Sequence, residues 1–595
     1  MERRKAWNKC FLAALILLRK KLRIIPAPLC GAALFAAVAC YTAAAYIYWI
    51  PAQALDGKTI EASVQVVEEP DGARCTVRVK SAEVDGEPVR VPGKIVCYIY
   101  GETLQPYDIF DATLTLRLPG AGSRLRRERA DGVFLYADVQ EHGGPGRPDR
   151  LPPGSAALAV RAHLQNALAE TVGGDEGAFA AALLTGDTSG LDSAVVNGAR
   201  ATGLSHIMAV SGLHLSILNG FLLVLFDKLR ANKWAANISC ILFTLGFMAV
   251  AAFTPSVLRA GIMSIILFIG RLAGREPDSL NSLGIAVTLI CAVNPFAAVS
   301  VSLILSASAT LGIVVFSPVL TDYVRGRFKI PAYLRWAVDT AIVTVSAVLF
   351  TLPASVAYFS EVSVLSVPAN LLVSVPVSVI LVCGLLLSVC VFVPGLNLVV
   401  AFPVKVLGSF VLGVIRWLAS LPFTTVYLKR GPTLVWLGFT GVLLAGYFVF
   451  RRRAKPSKRY LAALCAAVML VSALAGMFGG RDRLRLSFLD VGQADCSVAR
   501  LGGSTVVIDC GLDSSNTVNT LSSEQGVYSI DTLVVSHYHD DHAGGVAALL
   551  RSMPVGELFI PEQTDQAAVK REILNTAQER GVTVYEVGGE MEISV

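Results

Sequence analysis

Three of the chain's seven histidines fall in one short segment, SHYHDDHAGG: His537, His539 and His542, with Asp541 among them. His537 and His539 can grip one divalent metal, and Asp541 with His542 can hold a second a few ångströms away. Two such ions would share a hydroxide and clamp a phosphate or carbonyl oxygen. Asp541 and His542 are the residues expected to stand nearest that catalysis. A buried apolar strand, Thr532–Val535, would deliver these side chains at its C-terminal end, and Gly544 and Gly545 suit a sharp turn into the next helix. A polar loop with histidines gathered by chance is the plain alternative.

A second set of polar groups lies in apolar surroundings. His206, Ser211, His214 and Asn219 fall in one apolar stretch, with Ser211 and His214 three apart and so on one helix face. A catalytic Ser/His pair would lack a neighbouring acid. Helix–helix hydrogen bonding and the lining of a hydrated path are the other readings. Arg259 has no sequence-local acid, and Lys405 and Arg416 are eleven apart, nearly one helix face. Such cations would either line a phosphate path or snorkel and pair, with Asp339 or Glu361 as acids. In a separate segment, Arg124, Arg126, Arg127 and Arg129 form a dense basic run that would contact a polyanion or stay a solvated loop.

The elements around these residues follow from composition. Of 595 residues, 54% are hydrophobic and 16% charged, which excludes extended disorder and argues against a single soluble enzyme. The balance implies a polytopic α-helical membrane protein with soluble parts. Residues 1–50 hold a basic start and an apolar stretch, 24–50, read as an anchor rather than a cleaved signal peptide. Residues 51–150 alternate as about five short strands, a small β-barrel or sandwich. Residues 151–203 read as linker and helices. Between 204 and 478 lie roughly ten candidate spans, the first at 204–226, the fourth at 279–296 and the last two at 432–450 and 459–478. Basic loops at 227–233, 271–276, 322–335 and 451–459 alternate with loops free of Lys and Arg, although Lys429 and Arg430 break the pattern. The positive-inside rule then sets both soluble domains outside. An outside location permits disulfides, with Cys75–Cys97 the candidate and Cys496–Cys510 a weaker one.

The motif at 537–542 resembles that of the metallo-β-lactamase fold, whose members are mostly hydrolases. In that resemblance Asp509, ending the strand TVVID, matches the acid that braces the metal loop. The resemblance implies a divalent metal, zinc or manganese, in a two-metal site if the full domain is present. No histidine follows His542, so residues 479–595 are expected to be an incomplete domain.

Three further stretches are similar to the ComEC competence DNA-uptake channel family. They are LLTGDTSGLDSAVVNGARATGLSHIMAVSGLHLSILNG (183–220), TPSVLRAGIM (254–263) with NPF (294–296), and LDVGQADCSV (489–498). Asp490, Gln493 and Asp495 match the last motif, whereas Ala494 stands where the family usually has Gly. The resemblance implies an external OB-like domain, a channel for single-stranded DNA and an external hydrolase domain that degrades the other strand of an incoming duplex. It also implies the bacterial inner membrane, contact with lipid, a DNA receptor protein, a separate cytoplasmic ATPase and a homo-oligomer as the setting. No Walker A pattern is present to supply a motor within this sequence. A membrane-tethered metallohydrolase, or a channel with a vestigial hydrolase domain, are the alternative readings. The net charge of +6 is no argument for DNA, because 51–150 carries −3 and 481–595 carries −9.

Overall fold

The computed structural model describes residues 38–427, apart from 71–73, 100–103, 120–127, 149–153, 360, 394 and 422–423. It also describes 438 and residues 484–589, apart from 490, 492–493, 502–503, 513–516, 519, 522–526, 528 and 564–566. Two compact units divide the chain, one holding most of 18–425 and the other 426–595 with two short pieces.

In the first unit a helical segment, 38–54, leads into the strands β1 (Thr59–Val66), β2 (Arg74–Val84), β3 (Glu87–Pro88), β4 (Lys94–Tyr98), β5 (Ile109–Arg117) and β6 (Val133–His142). Alternation decides the inner face: Ile60, Ala62, Val64 and Val66 of β1 and Phe110, Ala112, Leu114 and Leu116 of β5 are buried. Asp85 and Gly86, both at positive φ, make the tight turn from β2 to β3. The order β1-β5-β6-β4-β2 closes through a β1–β2 pairing into a five-stranded barrel. Its β4–β6 pair is parallel and the others antiparallel, the arrangement of an OB-like barrel. Phe110 and Phe134 are buried in the barrel core. The run Arg124, Arg126 and Arg127 lies outside the described residues.

Twelve helices follow: α1 (Gly154–Thr171), α2 (Gly174–Thr185), α3 (Ser193–Ala201), α4 (Ser205–Met208), α5 (Gly212–Lys228), α6 (Lys233–Val250), α7 (Pro255–Leu272), α8 (Ser279–Val293), α9 (Val301–Arg327), α10 (Arg335–Tyr358), α11 (Ser366–Cys390) and α12 (Leu396–Ala419). Start signals set several of them. Asn232 accepts from the Trp234 N–H, Asp278 from those of Leu280 and Asn281, and Pro255 occupies the first turn of α7. One apolar core joins α1, α2, α5–α7, α11 and α12.

Six helical stretches among the described residues are long and apolar enough to cross a membrane: 233–250, 255–272, 301–327, 332–358, 366–390 and 396–419. This corrects part of the expected span count. The stretch 204–226 is no single span, because extended backbone at Ala209 and Ser211 separates α4 from the 17-residue α5. The stretch 279–296 shrinks to the 15-residue α8, ended by Asn294 and Pro295. The spans at 432–450 and 459–478 fall outside the described residues, apart from residue 438.

The barrel rests on this helical body at the NPF turn. Asn294 accepts from the Phe296 N–H through Oδ1 at 3.0 Å and donates through Nδ2 to the Ala130 carbonyl at 2.8 Å. Phe296 enters the barrel's own apolar cluster, its ring 5.5 Å from Phe134. Cys75 and Cys97 stand directly opposite in the β2–β4 pair, but the expected bond between them is not made. Both thiols are free, and the Cys97 Sγ–H donates to the Cys75 carbonyl at 3.6 Å.

The second unit contains the strands β7 (Arg485–Phe488), β8 (Ser497–Leu501), β9 (Ser504–Ile508), β10 (Ile530–Val534), β11 (Val555–Pro561) and β12 (Thr583–Val587), in sheet order β12-β11-β10-β9-β8-β7. The β7–β8–β9 part is antiparallel and β9–β10–β11–β12 parallel. Helices α13 (Asp540–Ala543), α14 (Val546–Ser552) and α15 (Ala567–Arg580) connect the parallel strands. Ligands in such sheets gather at the carboxyl ends of parallel strands, where β9 and β10 both stop.

Candidate functional site

At that end the backbone is bent to hold one acid. Asp509, directly after β9, adopts φ 58, a conformation Asp tolerates better than most residues. Its Oδ1 accepts the Ser536 N–H at 2.8 Å, and its Oδ2 accepts the Ser536 hydroxyl at 2.7 Å. Oδ2 also meets His542 Nδ1 at 2.9 Å. The carboxylate is nearly buried, with 8% of its side chain exposed, and the His542 side chain keeps 16%. The hydrogen bond from Asp509 raises the His542 pKa above its ordinary value, and the charges of Asp509, Asp541 and Asp495 act in the same direction. Backbone bonds fix the rest of the loop. The N–H of Cys510 reaches the His542 carbonyl at 2.9 Å, that of Gly545 the Gly511 carbonyl at 2.8 Å, and that of Asp495 the Asp541 carbonyl at 3.2 Å.

The loop so held brings His537, His539 and Asp541 together, with one donor atom from each within 4.8 Å of the others. Imidazole and carboxylate donors at this spacing suit a single divalent cation. His542 is not one of the three. Its Nδ1 is engaged by Asp509, while Nε2 faces Asp541 Oδ2 at 3.6 Å and Asp495 Oδ2 at 3.8 Å. The His537 and His542 rings are 4.0 Å apart, so the fourth candidate ligand lies beside the trio. Ala494 is accommodated because its neighbour Gly511, at φ 74, has no Cβ; one added there would stand 3.3 Å from the Ala494 Cβ. Asp490 and Gln493 lie outside the described residues. Ser536 is a residue the sequence reading missed. It binds Asp509 twice, and its hydroxyl is 3.0 Å from His537 Nδ1. Its position immediately before His537 was the available signal. Cys496 and Cys510 are buried free thiols, and burial, seconded by the Asp509 charge, pushes Cys496 up to about 12.

The channel candidates separate in the structure. His206 belongs to the short α4, its Nδ1 3.0 Å from the Gly203 carbonyl, and does not share a helix with His214. Ser211 and His214 do not form a face within a span. Ser211 caps α5, and its backbone N–H donates to His214 Nδ1 at 3.2 Å in a capping box. Arg259 is buried on α7, where its Nε donates to the Ser306 hydroxyl at 2.8 Å. Arg416 pairs with Asp175 of α2 rather than with Asp339 or Glu361; Asp339 is bound by Arg325 at 2.9 Å. Lys405 is exposed and makes no ion pair among the described residues. Asp175 and Ser306 had no sequence signal, being far from their partners along the chain.

The fold and the donor cluster define a multi-pass membrane protein that carries a metallo-β-lactamase-type domain. A family model described as "Competence protein" matches residues 183–453, and one described as "Metallo-beta-lactamase superfamily" matches 489–578. These matches, in this order along one chain, support the ComEC competence family. It is 24% identical to the ComE operon protein 3 of Bacillus subtilis (strain 168) over 467 residues, 72% of this chain and 57% of that protein. It is 25% identical to the uncharacterized protein YcaI of Escherichia coli (strain K12) over 387 residues, 62% of this chain and 50% of the other. The chain therefore spans about half the length of these curated relatives.

Proposed function

We propose that the chain serves DNA uptake across a bacterial inner membrane, passing a single strand through its helical core. The observation that carries this reading is the joining, in one chain, of a competence core to the donor trio His537, His539 and Asp541. The barrel and the C-terminal domain face outside and meet incoming duplex, and the C-terminal domain hydrolyses the strand that is not transported. His537, His539 and Asp541 would hold a divalent cation, zinc or manganese, with His542 beside them. Such a cation supplies a water acidic enough to attack a phosphodiester at neutral pH. Asp509 and Ser536 keep the histidines oriented, in the way outer partners orient metal-binding imidazoles. A DNA receptor, a separate ATPase and further copies of the chain complete the assembly.

Labelled-DNA uptake in a deletion strain tests the proposal. Complementation by the wild type restores uptake, and the variant His537→Ala/His539→Ala does not. Uptake that survives the deletion rejects the role in transport. Uptake that survives only the double substitution rejects the need for hydrolysis and leaves a channel with a vestigial hydrolase domain.

A further inference from the structure

The break between α4 and α5 gathers hydrogen-bond donors that lack an acceptor among the described residues. α5 is a 17-residue helix, and its first amides, at Gly212 and Leu213, have no partner within the helix. Arg259, 6% exposed as a residue, sets its guanidinium against this helix start: a Cβ on Gly212 would stand 3.4 Å from Arg259 Nη2 and 3.3 Å from the Ala260 Cβ. Its Nε is bound by Ser306 and its Nη1 by the Met263 sulfur at 3.4 Å, both uncharged. Among the described residues Nη2 has no hydrogen-bond partner and no carboxylate pairs with the guanidinium. The cation thus shares its site with the positive end of a helix dipole, an unfavourable pairing until an anion joins.

His214 adds an independent sign. Its Nδ1 accepts the Ser211 N–H at 3.2 Å, so the ring's proton sits on Nε2. That Nε2 is buried and has no partner, on a side chain that is itself fully buried. The same hydrogen bond holds the ring over the first turn of α5. The unpartnered side-chain atoms at the start of α5 and on the facing Arg259, His214 Nε2 and Arg259 Nη2, are both donors, which suits an oxyanion as the ligand.

We propose that the start of α5, Arg259 and His214 form a binding station for a backbone phosphodiester of the strand in transit. This rests on the DNA-uptake reading above and adds to it the group that is held and the residues that hold it. One cation with a few neutral donors binds a phosphate without trapping it, as passage requires. The absence of a Cβ at Gly212 lets the Arg259 Nη2 and Ala260 approach the helix start closely.

Hydrogen–deuterium exchange of the full chain in lipid nanodiscs gives a local test. The probes are a short oligothymidylate, its uncharged methylphosphonate analogue, and inorganic phosphate. The charged oligomer should slow exchange at residues 211–214 by about tenfold, the scale of one charge-assisted hydrogen bond, and the uncharged one should not. Arg259→Gln should lose this protection, and Arg259→Lys should keep part of it. Gly212→Ala, which crowds the guanidinium without removing it, should weaken protection and serves if Arg259→Gln does not fold. Equal protection by the uncharged oligomer, or full protection in the folded Arg259→Gln or Gly212→Ala variant, overturns the station. Arg259-dependent protection by phosphate in a protein whose deletion leaves uptake intact would keep the anion site and reject the DNA reading alone. Lost uptake on deletion with Arg259-independent protection would do the reverse.

Discussion

Two aspartates make comparable contacts in different surroundings. Asp509 holds His542, 33 residues away in sequence, from a nearly buried position where Ser536 also donates to it twice. Asp175 holds Arg416, 241 residues away, with both side chains near half exposed, at 42% and 55%. The first carboxylate is fixed by several donors in low-dielectric surroundings, where a lost partner is costly. The second rests on a single ion pair between half-exposed side chains, with fewer partners to fix it. The Asp509 contact is thus built to hold a geometry, whereas the Asp175–Arg416 contact has one ion pair to hold it.

The strongest challenge to this contrast is to remove the donors that the rigid loop presents. His537→Ala/His539→Ala should weaken metal binding by far more than the roughly 10–100-fold loss typical of an outer-shell partner. Metal titration of the purified full chain followed by elemental analysis reads this. Stoichiometric metal retained by the double variant would mean that the trio is not the site.

The helical unit has one contact that should behave like a fixed one. Phe296 is 6% exposed and packs on Phe134 in the barrel core, so Phe296→Ala should cost about 3 kcal/mol of stability. Denaturant unfolding of the whole protein, with proteolysis of the barrel as a second probe, tests it. A cost below about 1 kcal/mol would show the barrel to be loosely tethered there.

Asp509→Ala sharpens the comparison from the rigid side. It strips His542 and Ser536 of their acceptor and should lower metal affinity by about 10–100-fold while the donor trio stays in sequence. An unchanged affinity would make Asp509 a folding residue with no influence on the site.

The clustering of the candidate ligands and their contact with Asp509 could be read because these residues lie close along neighbouring strands. His537, His539 and Asp541 follow one buried strand, and Asp509 ends the strand that pairs beside it. The barrel was legible through its alternation of buried and exposed positions, which sets five strands but not their closure. The helical core was less so. Hydropathy could not see that Ser211 is a cap within the apolar run 204–226, because a capped break changes backbone angles without changing apolar content. Nor could it assign partners. Asp175 for Arg416 and Ser306 for Arg259 are products of tertiary packing, as is the insertion of Phe296 into the barrel. The Cys75–Cys97 pairing was half legible: the register is as expected, and the bond is absent.

The smallest effect is expected at the exposed pair, and it decides whether the contrast holds. Asp175→Asn removes the acid and leaves Arg416 near-isosteric surroundings. Each side chain is about half exposed, so global stability should change by no more than about 1 kcal/mol. The double reversal Asp175→Arg/Arg416→Asp should recover most of any loss, because the contact depends on charge rather than shape. Thermal unfolding at low and high salt separates the possibilities: a screened pair gives a difference that shrinks as salt rises. A salt-independent cost near 3 kcal/mol would mean that Arg416 and Asp175 are desolvated in the working protein. They would then be a second fixed brace, of the same kind as Asp509 and His542, and the difference between the two contacts would fall.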